Sequence, residues 1–549
     1  MAHTWPHPLT FRELKLFVLD QNCWDCGGPT TIRDYRRRPV YTLEGPTRVA
    51  RQLRQCLDER CLGHEKLMTA EEDILIAPPL WILAWDAFAH LGQARFARHM
   101  SVPEIREELA DHYDIHLSED CIEDYVGRYQ AMLAARQRDP ELLREHYRSV
   151  DDLILTIDGL QPEKGHETLY TVRELNGQRV WFASTLLSSS HDEVEKLIVR
   201  AKQMAEQLGK PIRAWMSDKQ DAFVKGIAKV CPGVPHRYCQ NHFLRDVAAP
   251  VLEADSHAKV QMRKKVRGLR TIEKEVLQRK DRLDKKGKDS DGDQVVLDYC
   301  ATVRGILNKN QGGPLDPPGL RMAEGLKEVR ESLQANLDEQ VGGLVERDLK
   351  RLSACIDRGL DVVQPELTKI PEYVKDLRAI HDTLDPKKGK PAKRQAKFTA
   401  LCQTLQADSD PVRQSIATVM SSFEPGLFAG GQALDALQDN LDLERWFRLP
   451  KSHERKIHGR QHAGVRLVHE GPGLALALDA HHSHRRPFTE KELGPYLGAM
   501  PTDEELQAVE RRKIMRRATS REARPNLLAS LETRYRSAHR KIRARQSRD

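Results

Sequence analysis

The chain has 549 residues, of which 31% are charged and 39% hydrophobic, and its formal net charge is +7. Because single hydrophobic cores rarely grow past about 250–300 residues, this length predicts several domains. No apolar run approaches the roughly 18 residues of a membrane span, since the longest, 74–85, contains Pro78-Pro79. The N-terminus lacks a signal-peptide layout, and the ten cysteines favour burial or metal ligation over disulfides. We therefore expect a cytoplasmic, nucleoid-associated protein.

Four cysteines near the N-terminus form two close pairs, Cys23-x-x-Cys26 and Cys56-x4-Cys61. Two such pairs can hold one Zn²⁺ in a closed tetrahedral site, and the β-type residues between them fit short strands that bring the pairs together. Residues 1–68 are therefore predicted to form a zinc ribbon. The x4 spacing is wider than usual, and His64 stands close enough in sequence to replace a cysteine. Three consecutive cations would be either phosphate contacts or a solvated charge run: Arg36, Arg37 and Arg38.

Residues 69–148 carry the signals of a helical DNA-binding domain. A helix is expected over 71–98, and Ser101 with Glu104 forms a capping box that begins the next one. Ser118 then caps a further helix, which would be the major-groove reader of a helix-turn-helix. The exposed face of that helix is acidic, which leaves a protein-binding or purely structural hairpin open. The predicted core is Ile105, Leu109, Ile115, Leu117, Ile122 and Val126.

Residues 149–249 alternate between strand and helix patterns. The apolar run 153–157 is typical of a central strand, and it ends on Asp158. A β-hairpin, an amphipathic helix and a fourth strand follow, and Asp218 comes directly after that strand. The predicted order is β-β-β-α-β-α-β-α, with one carboxylate after the first strand and another after the fourth. The expected bounds are 168–175 and 179–187 for the hairpin and 211–217 for the fourth strand.

Carboxylates at strand ends suit two-metal phosphodiester chemistry. Two Mg²⁺ ions about 3.5–4 Å apart must be held by several carboxylates on rigid elements, and hard cations prefer oxygen ligands. A third carboxylate is expected from a later helix that packs against the same sheet.

With these residues in view, the segment resembles the ribonuclease-H-like catalytic domain of DDE transposases of the bacterial insertion-sequence and Mutator-like kind. The matching features are the strand before Asp158, Asp218 in SDKQDAFVKGI, and Cys239-x-x-His242 in HRYCQNHFLRD. In that family an all-helical insertion precedes the catalytic Glu. The best match for that Glu is Glu444, in the sequence DNLDLERWFRLP.

The resemblance implies a multidomain protein with an α/β RNase H-like core interrupted by an all-α insertion, behind the zinc ribbon and the helix-turn-helix. The core would comprise 149–249 and 433–485, the insertion 250–432, and a basic helical tail 486–549. Two Mg²⁺ (or Mn²⁺) ions would be held by Asp158, Asp218 and Glu444. Residues at the edge of the active site would be Cys239, His242 and Asn440, and DNA contacts beyond the catalytic Glu would be Arg445, Arg448, Lys451 and Arg455.

Each proposed catalytic acid also has an ordinary structural explanation. Asp218 would serve as a helix N-cap, Asp158 as a turn residue and Glu444 as a surface glutamate. Two other acids come late enough in the chain to be the third carboxylate. They are Glu424, expected at a turn before a proline, and Glu454, expected to pair with a neighbouring cation.

The remaining cysteines and histidines allow structural roles as well. Cys239 and His242 lie about one helical turn apart and fit packed core residues, since two ligands alone do not make a zinc site. The histidines between 453 and 484 match no tight metal-ligand spacing, and we expect them on the surface.

Positive charge is concentrated at the C-terminus. Residues 511–549 hold 14 Lys or Arg and 3 Asp or Glu, a net charge of +11, so the rest of the chain is near −4. Such a tail indicates a polyanionic partner, although a solvated helix or a disordered tail has the same composition.

The predicted function is that of a DNA transposase. It would bind the terminal inverted repeats and the target DNA as a homodimer or larger assembly, cleave the ends and join the free 3′-OH to the target. Two alternatives stay open: a domesticated DNA-binding regulator without the chemistry, and a nuclease of the same fold without strand transfer.

Overall fold

A computed structural model describes residues 11–70, 72–160, 167–338, 342–459, 464–484 and 486–546. The chain forms two compact units, and both are discontinuous in sequence. The first comprises Met1–Trp215, Asp221–Val234 and Leu441–Asp549, and the second comprises Met216–Gln220 and Pro235–Asn440. Within these described ranges, no helix combines the length and the apolar character needed to cross a membrane.

The first unit begins with a four-stranded sheet. Its strands are β1 (Arg12–Leu16), β2 (Thr30–Thr42), β3 (Gly45–Cys56) and β4 (Met68–Thr69), and the short helix α1 (Leu62–Glu65) precedes β4. β2 and β3 form an antiparallel hairpin. β1 pairs in parallel with β3, and β4 pairs in antiparallel with the C-terminal part of β3. The strands expected between the cysteine pairs are therefore present, and at 13 and 12 residues they are longer than predicted.

Five helices follow, namely α2 (Asp73–Ile76), α3 (Trp85–Phe96), α4 (Val102–Tyr113), α5 (Glu119–Gln137) and α6 (Pro140–His146). The single helix predicted over 71–98 is wrong. Pro78 and Pro79 separate α2 from α3, because proline lacks the backbone N–H and disfavours helical geometry in the residue before it.

The helical hairpin α4–α5 forms as predicted. The capping box of Ser101 and Glu104 starts α4, and the Ser118 hydroxyl accepts the Cys121 N–H at the start of α5. The predicted core residues are buried apart from Val126, which is half-buried. Four acids on the first turns of α5 are exposed: Glu119, Asp120, Glu123 and Asp124.

A five-stranded sheet lies at the centre of the chain. Its elements are β5 (Leu153–Leu160), β6 (Thr168–Glu174), β7 (Arg179–Leu186), α7 (His191–Leu208), β8 (Ile212–Ser217), α8 (Asp221–Val230) and β9 (His236–Tyr238). The strand order is β7-β6-β5-β8-β9, and β5, β6 and β7 are consecutively antiparallel. The predicted order of strands and helices is confirmed. β5 runs two residues beyond Asp158, so this acid lies within the strand and not at its end.

Both faces of this sheet are covered within the first unit. On one face, Leu155, Ile157 and Val172 pack with apolar residues of α7 and α8 in a single core. On the other face, Leu160 and Leu169 belong to the core that includes α3–α5 and the C-terminal helices. Asp158 shares this second face, because residues two apart on a strand point the same way.

The second unit is helical after β9. It contains α9 (Gln240–Lys265), α10 (Leu269–Asp284), α11 (Asp291–Asn308), α12 (Pro318–Asp338), α13 (Gly343–Asp361), α14 (Gln364–Leu384), α15 (Pro391–Gln406) and α16 (Pro411–Leu427). Met262, Leu326 and Leu352 are fully or almost fully buried in its largest core. The buried Asp255 of α9 accepts the Gly319 and Leu320 N–H groups at 2.7 Å each and thereby caps α12.

The chain then completes the first unit with six helices: α17 (Leu441–Trp446), α18 (Arg448–His458), α19 (Gly464–Ser483), α20 (Glu490–Leu493), α21 (Asp503–Thr519) and α22 (Arg524–Gln546). α19 is broken at Gly471, whose φ of +70° is easy only for glycine. It packs against β7 and α5, and α17 packs against β5. Among its residues with described side chains, 524–540, α22 buries only Leu527.

Two histidines of these helices are buried, so the expectation that the histidines at 453–484 lie on the surface is wrong for them. His453 is 1% and His481 7% exposed, and both rings stack on Phe96. His453 Nδ1 lies 3.0 Å from His99 Nδ1, and His481 Nε2 lies 3.1 Å from the Tyr129 hydroxyl. Burial lowers the pKa of His453 to about 2 and the pKa of His481 to about 3.

Acid should therefore destabilise the first unit. These imidazoles stay neutral in the folded state, whereas an unfolded histidine takes up a proton below about pH 6.5, so stability is lost as the pH falls. Between pH 7 and pH 5, each should cost about 2 kcal/mol. Urea unfolding of His481→Phe should show a smaller pH-dependent loss, and the exposed neighbour His482 provides the control His482→Phe. Equal losses in the two variants would contradict the assignment.

Candidate functional site

The four N-terminal cysteines converge as the sequence predicts. Cys23 and Cys26 precede β2, Cys56 ends β3, and Cys61 precedes α1. All four sulfur atoms lie within 4.8 Å of one another, with Cys23 Sγ 3.8 Å from Cys61 Sγ and Cys26 Sγ 3.6 Å from Cys56 Sγ. Tetrahedral ligation at about 2.3 Å places sulfur atoms about 3.8 Å apart. The cluster therefore has the donor set and spacing to bind a structural metal such as zinc.

The loops around this cluster fit the sulfurs closely. Gly27 has φ +70° and its N–H donates to the Cys23 carbonyl at 2.8 Å, which turns the chain between the paired sulfurs. A Cβ on Gly63 would lie only 2.4 Å from Cys23 Sγ. Backbone N–H groups of Cys26 and Asp25 lower the pKa of Cys23 to about 7, whereas burial raises the pKa of Cys56.

His64 does not take the place of a cysteine. Its Nδ1 lies 2.8 Å from the Cys56 carbonyl oxygen, so the ring supports the backbone of the second cysteine pair. The group of potential ligands that the structure brings together here contains the four cysteines and no histidine.

The three consecutive arginines of β2 do not form one patch. Successive strand residues point to opposite faces, so Arg37 faces away from Arg36 and Arg38. Arg38 donates to the Asp73 carboxylate at 2.9 and 3.0 Å and to the Ala77 carbonyl at 2.7 Å, which engages its guanidinium inside the protein. Arg36 and Arg37 are exposed.

Asp158 lies half-buried in β5, directly opposite Thr171 of β6. Its Oδ1 accepts the N–H of Gly159 at 2.7 Å. Paired residues of antiparallel strands share a face, so Asp158 and Thr171 lie on the face that α17 covers at β5. The position is rigid because β5 has a neighbouring strand on each side.

Asp218 follows the last residue of β8 and belongs to the second unit. Its Oδ1 accepts the Gln220 N–H at 3.3 Å, and α8 begins only at Asp221, so Asp218 is not at the N-cap position. Burial raises the pKa of Asp218, with the charge of His242 opposing the rise and that of Asp246 adding to it.

Cys239 and Asn440 meet within the second unit. Both are fully buried, and the Asn440 N–H donates to Cys239 Sγ at 3.4 Å. Cys239 is the N-cap residue of α9 and His242 lies in the first turn of that helix. The residues therefore hold together the two ends of the long segment between β9 and α17.

Glu444 lies half-buried on α17 in the first unit, between buried Leu443 and buried Trp446. Asp442, on the same helix, accepts the Nε–H of Arg173 at 2.6 Å. Arg173 also donates to Asp479 at 3.0 Å, and burial raises the pKa of Asp479 while Arg173 opposes the rise.

Sequence reasoning overlooked this charged group. A visible signal was Arg173 itself, a cation inside the otherwise β-rich run TLYTVRE. No local signal in the sequence identifies Asp442 and Asp479 as its partners.

The two competing acids occupy other environments than expected. Glu424 lies inside α16, since Pro425 is within that helix and not at a turn, and it accepts the Thr399 hydroxyl at 2.6 Å. Glu454 is 1% exposed and lies 3.6 Å from the His458 ring. Of the cations beyond Glu444, Arg445, Arg448 and Arg455 are exposed and Lys451 is half-buried.

Comparison with known proteins assigns no family to the chain. No protein-family model matches the sequence, and no curated protein matches it.

The cysteine cluster should carry about one Zn²⁺ per chain. Cys23→Ser and Cys56→Ser should each remove the metal, because a four-thiolate site loses its closed geometry without one ligand, and the N-terminal sheet should lose local folding. Metal analysis of freshly purified protein measures the content. Cys121, outside the cluster, provides the control Cys121→Ser, which should keep its zinc. Wild-type protein without zinc would contradict the assignment.

Proposed function

We propose that the protein is a DDE-type DNA transposase with an RNase H-like core. It binds transposon ends, cleaves them in a metal-dependent reaction and transfers the freed 3′-OH to target DNA. The observation that carries the proposal is the placement of three acids on the elements expected for such a site. Asp158 lies in a central strand, Asp218 directly follows the strand next to it, and Glu444 sits on a helix packed against the first strand.

The donor set fits hard divalent cations. Asp158, Asp218 and Glu444 offer carboxylate oxygens only, which Mg²⁺ and Mn²⁺ prefer, and each acid is partly shielded from solvent. When bound, two such ions would activate the attacking water or 3′-OH and stabilise the leaving oxygen. The protein's part is to hold the acids on rigid backbone so that they need not rearrange during the reaction.

Exposed cations near the C-terminal end of the chain supply the proposed DNA contacts. Arg445, Arg448 and Arg455 follow the catalytic Glu, and α22 presents cations along its exposed length. In the N-terminal sheet, Arg36 and Arg37 have the exposure for phosphate contacts, whereas Arg38 is engaged by Asp73.

The acidic face of α5 supports a second role for the helical hairpin. A helix that enters the major groove must approach phosphates, and the exposed Glu119, Asp120, Glu123 and Asp124 would repel them. A protein partner or a structural role fits this face better, so we propose the four-stranded sheet for the DNA contacts of the N-terminal region.

A regulator without chemistry and a nuclease without strand transfer are the competing functions.

Glu444→Gln should abolish Mg²⁺-dependent strand cleavage while DNA-end binding and thermal stability stay close to wild type. The amide keeps the size of the side chain but removes the charge that a metal ligand needs. Gel assays of end cleavage and of strand transfer measure the effect, and strand transfer by the wild type separates a transposase from a nuclease.

Glu424→Gln and Glu454→Gln provide matched controls. Both carboxylates lie late in the chain and both already have partners, Thr399 and His458 respectively, so both variants should cleave DNA. Full cleavage by the Glu444→Gln protein would show that another acid is the third ligand. Absence of Mg²⁺-dependent cleavage in the wild type would favour the regulator.

Deleting residues 524–549 should flatten the dependence of DNA affinity on salt. The deletion removes α22 with its cations, and each phosphate that the protein no longer neutralises lowers the slope of log K against log salt by about 0.9. It spares α21, whose Glu504 accepts the Thr185 N–H of β7 and whose Arg511 pairs with Glu167. Melting temperature should hardly change, because only Leu527 is buried among the described side chains of α22. An unchanged slope would assign α22 to another partner.

A further inference from the structure

An ion network centred on a buried arginine ties the central sheet to α17, where the side chain of Asp442 is 45% exposed. Arg173 of β6 is 3% exposed and donates from Nε to Asp442 Oδ2 at 2.6 Å and from Nη1 to Asp479 Oδ1 at 3.0 Å. Asp479 is itself fixed, since its Oδ2 accepts the Val180 N–H of β7 at 3.0 Å and Gln137 Nε2 of α5 at 3.3 Å. Asp479 therefore fixes the position of the Arg173 guanidinium independently of Asp442.

Arg173 lies on the same face of the sheet as Asp158. It pairs with Thr156 across β5 and β6, and Asp158 pairs with Thr171 two residues away on each strand. Antiparallel partners share a face, and so do residues two apart on one strand. The ion pair with Asp442 therefore forms on the face that holds the first catalytic acid.

The geometry of α17 connects Asp442 to Glu444. Successive residues of an α-helix are about 100° apart, so these two acids lie about 200° apart, on opposite flanks of the helix. The buried Leu443, Trp446 and Phe447 lie between the flanks and face the core. Asp442 contacts β6, while the helix packs on β5, the next strand in the sheet. Glu444 is thus on the flank turned away from β6.

We propose that the Arg173–Asp442 ion pair sets the rotation of α17 and thereby aims Glu444 at the bound metal ions. A helix of six residues has little intrinsic stability, so its orientation depends on its side-chain anchors. The apolar anchors hold one side of the helix on the core. The ion pair adds a directional contact on one flank, which makes Asp442 a positioning residue. This inference rests on the proposed role of Glu444.

The test is direct Mn²⁺ binding to the full-length protein, followed by electron paramagnetic resonance, together with the Mg²⁺ dependence of end cleavage. Asp442→Ala should weaken Mn²⁺ binding and raise the Mg²⁺ concentration for half-maximal cleavage by about 10–100-fold, as for other groups that orient metal ligands. Asp442→Glu keeps a carboxylate within reach of Arg173 and should recover most of the loss. If Asp442→Ala folds poorly, Asp442→Asn keeps the shape of the side chain and should show the same weakening.

The matched control is Glu193→Ala, which removes an exposed ion pair with Lys196 of the same 2.6 Å length on α7 and should leave Mn²⁺ binding unchanged. Wild-type Mn²⁺ binding by both Asp442→Ala and Asp442→Asn would overturn the inference, as would an Asp442→Glu protein no better than Asp442→Ala. The Glu444→Gln variant distinguishes an error in the proposed role of Glu444 from an error in the positioning role of Asp442. If it binds Mn²⁺ normally and cleaves DNA, the proposed role of Glu444 is wrong, whereas a wild type without Mg²⁺-dependent cleavage would refute the proposed function. If Glu444→Gln fails while Asp442→Ala behaves as wild type, only the positioning role is wrong.

Discussion

The pairing of Arg173 is the constraint on which the first unit depends. A guanidinium buried to 3% exposure must be matched by carboxylates, because breaking a buried ion pair typically costs about 3–5 kcal/mol. Its two partners, Asp442 and Asp479, come 269 and 306 residues later in the chain. β6 therefore reaches its stable environment only when α17 and α19 have packed on the sheet, and the same step brings Glu444 to β5.

The polar residues of this sheet face are concentrated where the chemistry is proposed. Thr156 and Thr171 are fully buried beside Asp158, and Arg173 completes the group, whereas one end of the same face carries the cross-strand pair Leu160 and Leu169. Buried polar groups cost free energy unless they are hydrogen-bonded, so apolar residues would stabilise the sheet at lower cost. These buried polar residues are consistent with the proposed site, and Arg173 is the member of the group that also contacts α17.

Local sequence patterns predicted the strands and helices, whereas contacts between residues distant in sequence determine which side chains are buried. The strand and helix order, the capping box at Ser101 and the convergence of four cysteines all follow from spacing and are present. Glu424 is expected at a turn from the proline that follows it, yet α16 continues through Pro425 to Leu427. His453 and His481 are buried against Phe96, which lies more than 350 residues earlier in the chain. The periodicity of the sequence around each histidine could not predict this contact.

The helical segment between β9 and α17 can be carried by the sheet because its two ends are joined. Gln240 N–H donates to the Gln438 carbonyl at 3.0 Å, Arg237 Nε donates to the Leu437 carbonyl at 3.1 Å, and Asn440 N–H donates to Cys239 Sγ at 3.4 Å. Closing a loop of about 200 residues costs only about 4–5 kcal/mol in chain entropy, and the cost grows slowly with length. A segment with its own buried core can offset that entropic cost, so the length of the segment has little effect on the stability of the sheet. Cys239 and Asn440 lie at the closure of the segment, and both are completely buried there.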